Sequence, residues 1–459
     1  MWRRGTAMTA PSVLPYQPDP LPLLAALRPL GGAVLLHSSD RAHPDGRFDI
    51  VAAAPSAWLT THGHSTRIHG PDGSRTTAAS PFDTLEEWLD APAADLGNDD
   101  ALPFAGGVIG LAGYDLVRIL ESLPPRRSPA SGFPDLIAGR YAWAVITDHH
   151  TCTTRLLQMA DAQPPPIAAM LAAGLPAVPC LGTEAPHLRG DTDPEAYARS
   201  FQRVQDYIRA GDCYQVNLTM RFTGRFEADP LALYAHLARR HPAPFAGFFD
   251  TADGIVLSFS PERFLRTTDG MIETCPIKGT QRRSSDPAED RRLASALLAS
   301  AKDRAENLMI VDLLRNDLGR SCVPGSIEVP SLFGLESFGS VHHLVSRIRG
   351  RLAPDVTPMA AFARAFPGGS ITGAPKIRAM QIIDELEPHA RGPYCGSLFM
   401  VDGRGRMDSS ITIRTLLARQ GHLHCWGGGG VVADSTLADE WAEIHHKVGA
   451  LIGEAEPES

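Results

Sequence analysis

The chain has 459 residues, of which 43% are hydrophobic and 21% charged, a balance that supports a large buried core and excludes extended disorder. Its formal net charge of -9 excludes a general binder of nucleic-acid backbones, whose affinity rests on clustered Lys and Arg. No run of about 18 apolar residues occurs, so no helix is expected to span a bilayer, and isolated cysteines without C-x-x-C spacing point to a reduced, cytoplasmic setting.

In chain order, residues 1–10 carry Arg3 and Arg4 but run into Pro-broken sequence. They read as a disordered start rather than a signal peptide, with Met8 a candidate initiator beside Met1. Residues 11–160 form a first region. Its β-rich runs Gly32–Leu36, Phe48–Ala52 and Tyr141–Ile146, separated by Gly, Pro and Asp, predict mixed α/β structure with antiparallel pairing. Residues 161–192 hold Pro164–Pro166, Pro176, Pro179, Pro186 and Gly190 and are expected to connect it to a second region, 193–453, before a tail at 454–459. No internal repeat is visible.

The second region opens with a predicted helix to about Ala210, capped by Asp193 or Thr192, with Pro194 in its first turn and Phe201, Val204 and Ile208 at helical spacing. Cys213–Phe222 alternates as a half-buried strand, which places Gln215, Asn217 and Thr219 on one polar face. Strands Gly254–Ser260 and Met271–Lys278 follow. A long helix is then expected from about Pro287 through Arg315, broken near Lys302.

Four segments carry candidate chemistry. Asp303 and Glu306 are i and i+3 on one helical face, as are Glu440 and Glu443, with Lys447 one turn further in a helix capped by Asp434 or Ser435. Converging carboxylates without Cys or His favour a hard cation such as magnesium, although either pair alone reads more often as a solvated helix face. Phe366–Met380 is a Gly-rich turn, including Ser370 and Thr372, that enters a helix holding Pro375 in its first turn; such junctions aim N–H groups at anions. Gly427–Gly430 is expected to lie between a strand ending near Trp426 and the last helix, either as a carboxylate cradle or as a flexible turn. Lys278 stands at a strand end before Gly279. Such lysines are ordinarily solvated, and a nucleophilic one must lose a proton, at a cost of roughly 4 kcal/mol at neutral pH unless its surroundings assist. Arg282, Arg283 or a metal would assist, with Glu262 as proton acceptor.

Together these segments closely resemble the chorismate-utilising enzymes. The likeness rests on Ser258–Phe264, Pro276–Thr280, Asp303–Asp317, Val341–Ser346, Phe366–Arg378, Ile382–Pro388, Ser410–Arg414 and Gly428–Ser435. It extends to Leu35–Ser39, Arg47–Val51 and Gly113–Leu116, and so covers nearly the whole chain. It implies an α+β fold, large and two-lobed, with antiparallel sheets packed face to face and helices on the outside.

Members that add water place a lysine base where this chain has Gln215, which implies an ammonia user. Lys278 stands where anthranilate synthases carry alanine and is similar to the lysine of the aminodeoxychorismate synthases, which adds to the substrate ring. Anthranilate synthase component I is the alternative. The resemblance implies magnesium on Glu306 and Glu443, with Asp303 and Glu440 as outer or water-mediated partners. Arg414, Lys447 and the amides near Gly428 and Gly430 would grip substrate carboxylates, with Gln215, Ser370 and Thr372 also in the substrate site. Lys278 would attack ring C2 of chorismate, with Glu262 as base and His343 polarising the departing hydroxyl. The doubled His445–His446 departs from the family pattern.

No cysteine sits in a glutaminase motif, so ammonia is expected from a separate glutamine amidotransferase subunit, and p-aminobenzoate release from a separate aminodeoxychorismate lyase. Family members can also hold tryptophan in the N-terminal region, which makes Ser38, Ser39, Arg47 and Asp49 candidate contacts.

Overall fold

The computed structural model describes residues 11–90, 101–124, 131–159, 162–181, 186–338 and 341–453. The expected disordered start and tail lie outside the described residues. Short apolar strands assemble into two antiparallel sheets, each of twelve described strands. The first runs from Ser12–Leu14 through Thr153–Gln158, Trp143–Asp148, Phe48–Ala52, Val34–His37, Phe245–Thr251, Gly254–Ser260, Thr415–Arg419, His422–Val431 and Gln215–Arg225 to Arg189–Gly190, with Gly373–Ala374 paired to Gln215–Arg225. The second runs from Ile277–Arg282 through Val341–Arg351, Met271–Thr274, Arg263–Thr268, Met407–Ile411, Ser397–Asp402, Gly107–Ala112, Leu136–Tyr141, Ala57–His62 and Ser65–Gly70 to Gly73–Thr77, with Glu328–Phe338 beside Val341–Arg351.

The sheets meet through an apolar core. Trp58 and Phe249, one from each sheet, hold their rings 5.7 Å apart. At Gly247 a Cβ would lie 2.4 Å from Leu398 Cδ2 of the other sheet, so only glycine permits that approach. Strands Gly107–Ala112, Trp143–Asp148 and Ser397–Asp402 are buried at every position, as sheets covered on both faces require. Each sheet joins strands from before and after residues 161–192, for example at Leu36↔Gly247 and Gly110↔Phe399. The connecting segment itself contains the helix Ile167–Ala173.

The helix Pro194–Arg209 forms as expected, with Asp193 accepting from the Ala196 N–H and Tyr197, Phe201 and Val204 buried along one stripe. Several details differ from the sequence reading. Tyr141–Ile146 is not one strand, because Ala142 separates Leu136–Tyr141 from Trp143–Asp148, which belong to different sheets. Pro276, without an N–H for a ladder, separates Met271–Thr274 from Ile277–Arg282, so Lys278 lies within a strand rather than at its end. The long helix breaks at Ser300, two residues before the expected Lys302: its backbone N–H donates to the Leu297 carbonyl at the end of Pro287–Ala299, and its side chain accepts from the Asp303 N–H to cap Ala301–Gly319. Pro375 is the cap residue of Lys376–Leu386, with extended backbone, not a first-turn residue. The last helix, Leu437–Ile452, is capped by Thr436 and not by Asp434 or Ser435.

Candidate functional site

Gly427–Gly430 proves to be strand, not turn: it lies inside His422–Val431 and pairs with Gln215–Arg225, Gly428 opposite Thr219 and Gly430 opposite Asn217. The reason is close approach. An added Cβ at Gly427 would lie 3.0 Å from Ile444 of the last helix, at Gly429 2.3 Å from Glu440 Oε2, and at Gly430 2.1 Å from Gln215 Nε2. Bare backbone thus lets the helix Leu437–Ile452 set Glu440, Glu443 and Lys447 against the sheet, and Lys447 Nζ donates to the Gly428 carbonyl at 3.1 Å.

Across from them, the helix Ala301–Gly319 packs on the strand Ile277–Arg282 at Gly279, where an added Cβ would lie 3.1 Å from Asp303 Cβ. Lys278 Nζ stands 3.3 Å from Glu306 Oε1, and Lys447 Nζ 2.5 Å from Glu443 Oε1. Burial pushes Glu443 upward, but Lys447 and then Lys278 more than offset it, leaving its carboxyl below the ordinary range. Burial raises Glu440, and nearby Glu443 adds to the rise. Ser435 donates to Glu440 Oε1 at 2.7 Å, whereas Glu440 Oε2 is buried without a hydrogen-bond partner.

Among the described residues no group of three or more His, Cys, Asp and Glu side chains is assembled at metal-holding distance. One carboxylate of each acidic pair is instead engaged by a lysine, Glu306 by Lys278 and Glu443 by Lys447. The donors are nevertheless of the kind a hard cation takes, and the orphaned Glu440 oxygen sits beside them.

Glu262 is 7% exposed and accepts from Ser370 Oγ at 2.9 Å. Burial raises its pKa to about 7 against the opposing pull of Lys278 and the Ser370 hydrogen bond, so it can hold or release a proton near neutrality. Thr372 donates within its own turn, to the Gly368 and Gly369 carbonyls. Ser370 and Thr372 are thus engaged with protein groups. His343 Nδ1 shares a 2.9 Å hydrogen bond with Thr280 Oγ1. Burial and then Arg414 hold its pKa down to about 4, which makes the ring neutral at pH 7.

Thr280, His343, Arg414 and Lys447 line a cavity of about 820 Å³. Arg414 takes a left-handed backbone, φ 50°, and lines the cavity as an exposed residue; the protein around that opening pushes its pKa down from an ordinary value of 12.5. No described carboxylate pairs with it, so it is a cation ready for an anionic ligand.

Two residues of the polar strand face, Asn217 and Thr219, have buried partners. Thr219 N and Oγ1 donate to Glu387 Oε1 at 2.9 and 2.8 Å, and Asn217 Nδ2 donates to the Ile371 carbonyl at 3.1 Å. Gln215 Oε1 is buried without a partner. Sequence reasoning missed Glu387 and its partner Arg391; the unexplained polar strand face was the signal for them.

Of the four N-terminal candidates, Ser38 and Asp49 are in contact, the Ser38 N–H donating to Asp49 Oδ1 at 3.0 Å. Ser38 lines a smaller cavity of about 100 Å³ with His37, Phe48, Ile50 and Leu398, which adjoins the larger one through Asp45, Pro244, Phe245 and Arg263. Ser39 Oγ is engaged with the Ala243 backbone, Arg47 with Asp148, and Asp49 with Arg41 and His149.

The model for chorismate binding enzymes matches residues 34–453. The chain is 45% identical over 444 residues to "Aminodeoxychorismate synthase component 1" of Klebsiella aerogenes, covering 96% of this chain and 98% of that protein. It is 38% identical over 427 residues to "Anthranilate synthase component 1" of Thermus thermophilus, covering 91% of each. The solved anthranilate synthase component I from Streptococcus pneumoniae superposes with a TM-score of 0.79 at 29% identity, over 88% of this chain and 92% of that one. On fold, motifs and these likenesses, the chain belongs to the chorismate binding enzyme family.

Proposed function

We propose that this chain aminates chorismate at ring C4, using ammonia delivered by a separate glutamine amidotransferase subunit, to give 4-amino-4-deoxychorismate. The observation that carries the reading is Lys278, paired with Glu306 at 3.3 Å and close enough to the buried Glu262 for its charge to act on that carboxyl. High identity to proteins named aminodeoxychorismate synthase component 1 supports it.

In this reading the neutral Lys278 amine forms a bond to ring C2 while both ring double bonds shift, C1=C2 to C1=C6 and C5=C6 to C4=C5, and the C4–O bond breaks. The leaving hydroxyl, polarised by the neutral His343, takes the proton that Glu262 accepted from Lys278 and departs as water. Ammonia then bonds to C4, the shift reverses and the C2–N bond breaks, which returns the Lys278 amine. Glu262, poised near pH 7, accepts the Lys278 proton and returns one later. Arg414 and Lys447 take the substrate carboxylates, and the buried Gln215 amide stands where a water-adding enzyme would need a base.

Magnesium would be held by Glu306 and Glu443, with Asp303 and Glu440 around them, and would act as a template and Lewis acid for a substrate carboxylate. The product feeds p-aminobenzoate and folate synthesis through a separate aminodeoxychorismate lyase. Tryptophan held near Ser38, Ser39, Arg47 and Asp49 is a further ligand of the proposal, and a titration that left both melting temperature and activity unchanged would remove it.

The test is to incubate the purified chain with chorismate, magnesium and ammonium, with and without added lyase, and to identify products by mass. Lyase-dependent p-aminobenzoate supports the proposal. Lyase-independent anthranilate with pyruvate release would establish an anthranilate synthase component I instead, and glutamine-dependent turnover by the isolated chain would contradict the separate amidotransferase.

A further inference from the structure

Arg391 is 1% exposed and makes four hydrogen bonds, all to groups near the candidate site. Its Nε and Nη2 donate to Glu387 at 2.9 and 2.6 Å. Nη1 donates to the Ile371 carbonyl at 3.0 Å, and Nη2 to the Asn217 carbonyl at 2.6 Å. The guanidinium also lies 4.6 Å from the Tyr114 ring centroid. Glu387 in turn accepts from Thr219, the residue opposite Gly428.

A fully buried ion pair is a poor way to gain stability, because desolvation cancels most of the attraction; fixing one arrangement is the better-attested use of such a pair. What this pair fixes is visible. The Ile371 carbonyl receives two side-chain donors, Arg391 Nη1 and Asn217 Nδ2, and the Asn217 N–H donates to the Thr372 carbonyl at 2.9 Å. Between these anchors and the chain leading into the turn sits Ser370, in the single turn Gly369–Ile371. Its hydroxyl makes the hydrogen bond to Glu262 Oε1.

We infer that Arg391 and Asn217 are positioning residues that clamp the Ile371 carbonyl and thereby hold the Ser370 hydroxyl on the Glu262 carboxylate. The inference rests on the reading of Glu262 as the proton acceptor, but the contact itself can be measured without turnover. The Asn217 N–H bond to Thr372 belongs to the same clamp. A hydroxyl that donates to a carboxylate favours its ionised form, so loosening the turn makes Glu262 harder to ionise.

The experiment follows the infrared band of the protonated Glu262 carboxyl, identified by its loss in Glu262→Gln, as pH is varied. Parent, Ser370→Ala, Asn217→Ala, Arg391→Lys and the double variant Ser370→Ala/Asn217→Ala are compared. Ser370→Ala is expected to move the midpoint up by about one pH unit, the worth of one hydrogen bond to a charged group. Asn217→Ala and Arg391→Lys should move it in the same direction, and the double variant no further than Ser370→Ala alone.

Asn217→Ala leaves the buried ion pair intact, so it keeps the test alive if Arg391→Lys fails to fold. An unchanged midpoint in a folded Asn217→Ala or Arg391→Lys protein, or a shift in the double variant that adds to that of Ser370→Ala, would overturn the inference. Absence of aminated product from the parent would defeat the functional reading instead, and the infrared result would stand apart from it.

Discussion

Lys278 Nζ and Glu306 Oε1 stand 3.3 Å apart, with the two side chains 17% and 22% exposed. The proposed nucleophile and a proposed cation ligand are therefore one ion pair. A cation that takes Glu306 as a ligand would draw that carboxylate out of the pair and leave the Lys278 amine accessible.

Labelling of Lys278 by an amine-reactive reagent, read by peptide mass, should accordingly rise as magnesium is added. Glu306→Gln should label readily with or without magnesium. Labelling of the unaltered chain that is indifferent to magnesium would separate the lysine from the cation.

The covalent route makes its own prediction. Acid quenching during turnover should reveal a chain heavier by chorismate less one water, with the addition mapped to Lys278. Lys278→Ala should lose that species and slow product formation on the order of 10²-fold or more. A quenched parent protein of unchanged mass at every time point, with turnover retained in Lys278→Ala, would rule the adduct out.

Glu262 predicts a stability effect of definite sign. Its pKa rises from an ordinary 4.5 to about 7 because burial penalises the charged form. The folded state therefore holds a proton that the unfolded chain releases, and stability falls as pH climbs from about 4.5 to 7 and stays reduced above that. Glu262→Gln removes the penalty. It should leave stability near that of the parent at about pH 4.5 and raise it above about pH 7 by about 3 kcal/mol at most, while abolishing proton transfer. Denaturant melts at the two pH values measure the difference, and a variant less stable at about pH 8 would contradict the buried, strained carboxyl.

Asp49 should act in the opposite sense. Burial would raise its pKa, but the His149 hydrogen bond, His37 and Arg41 outweigh that and hold it at about 2 against an ordinary 3.8. Its contribution, about 2 kcal/mol, is present above about pH 4 and lost as pH falls from about 4 to 2. Asp49→Asn should be less stable at neutral pH and show a shallower acid transition over that window.

Local patterns were legible where chemistry is local. Asp193 and the helical spacing of Phe201, Val204 and Ile208 mark a helix that the structure contains, and Asp303 and Glu306 lie in one helix, Asp303 against Gly279 and Glu306 against Lys278. What could not be read were partners distant in sequence. Arg47 and Asp49 look free in the sequence because Asp148 and His149, which engage them, lie about a hundred residues on. The Arg391–Glu387 pair is itself local, i and i+4, but its targets at Asn217 and Ile371 are not.

The glycine run is the sharpest case, because glycine disfavours strands and signals turns, yet here it lies in one, with the last helix close to Gly427 and Gly429 and the neighbouring strand close to Gly428 and Gly430. That origin predicts different outcomes at adjacent positions. An added methyl at Gly428 would stand 2.4 Å from Thr219 Cγ2 and 2.8 Å from the Leu218 carbonyl oxygen, which is backbone and cannot swing away. Gly428→Ala should therefore cost about 1–3 kcal/mol of stability. At Gly429 the nearest atom is Glu440 Oε2 at 2.3 Å, the far end of a side chain that can rotate. Gly429→Ala should melt close to the parent but need about 10-fold or more magnesium for half-maximal binding, since it displaces a carboxylate beside the proposed cation. Thermal melts and magnesium titration by calorimetry distinguish the two, and equal loss of stability at both positions would mean that the glycines serve packing alone.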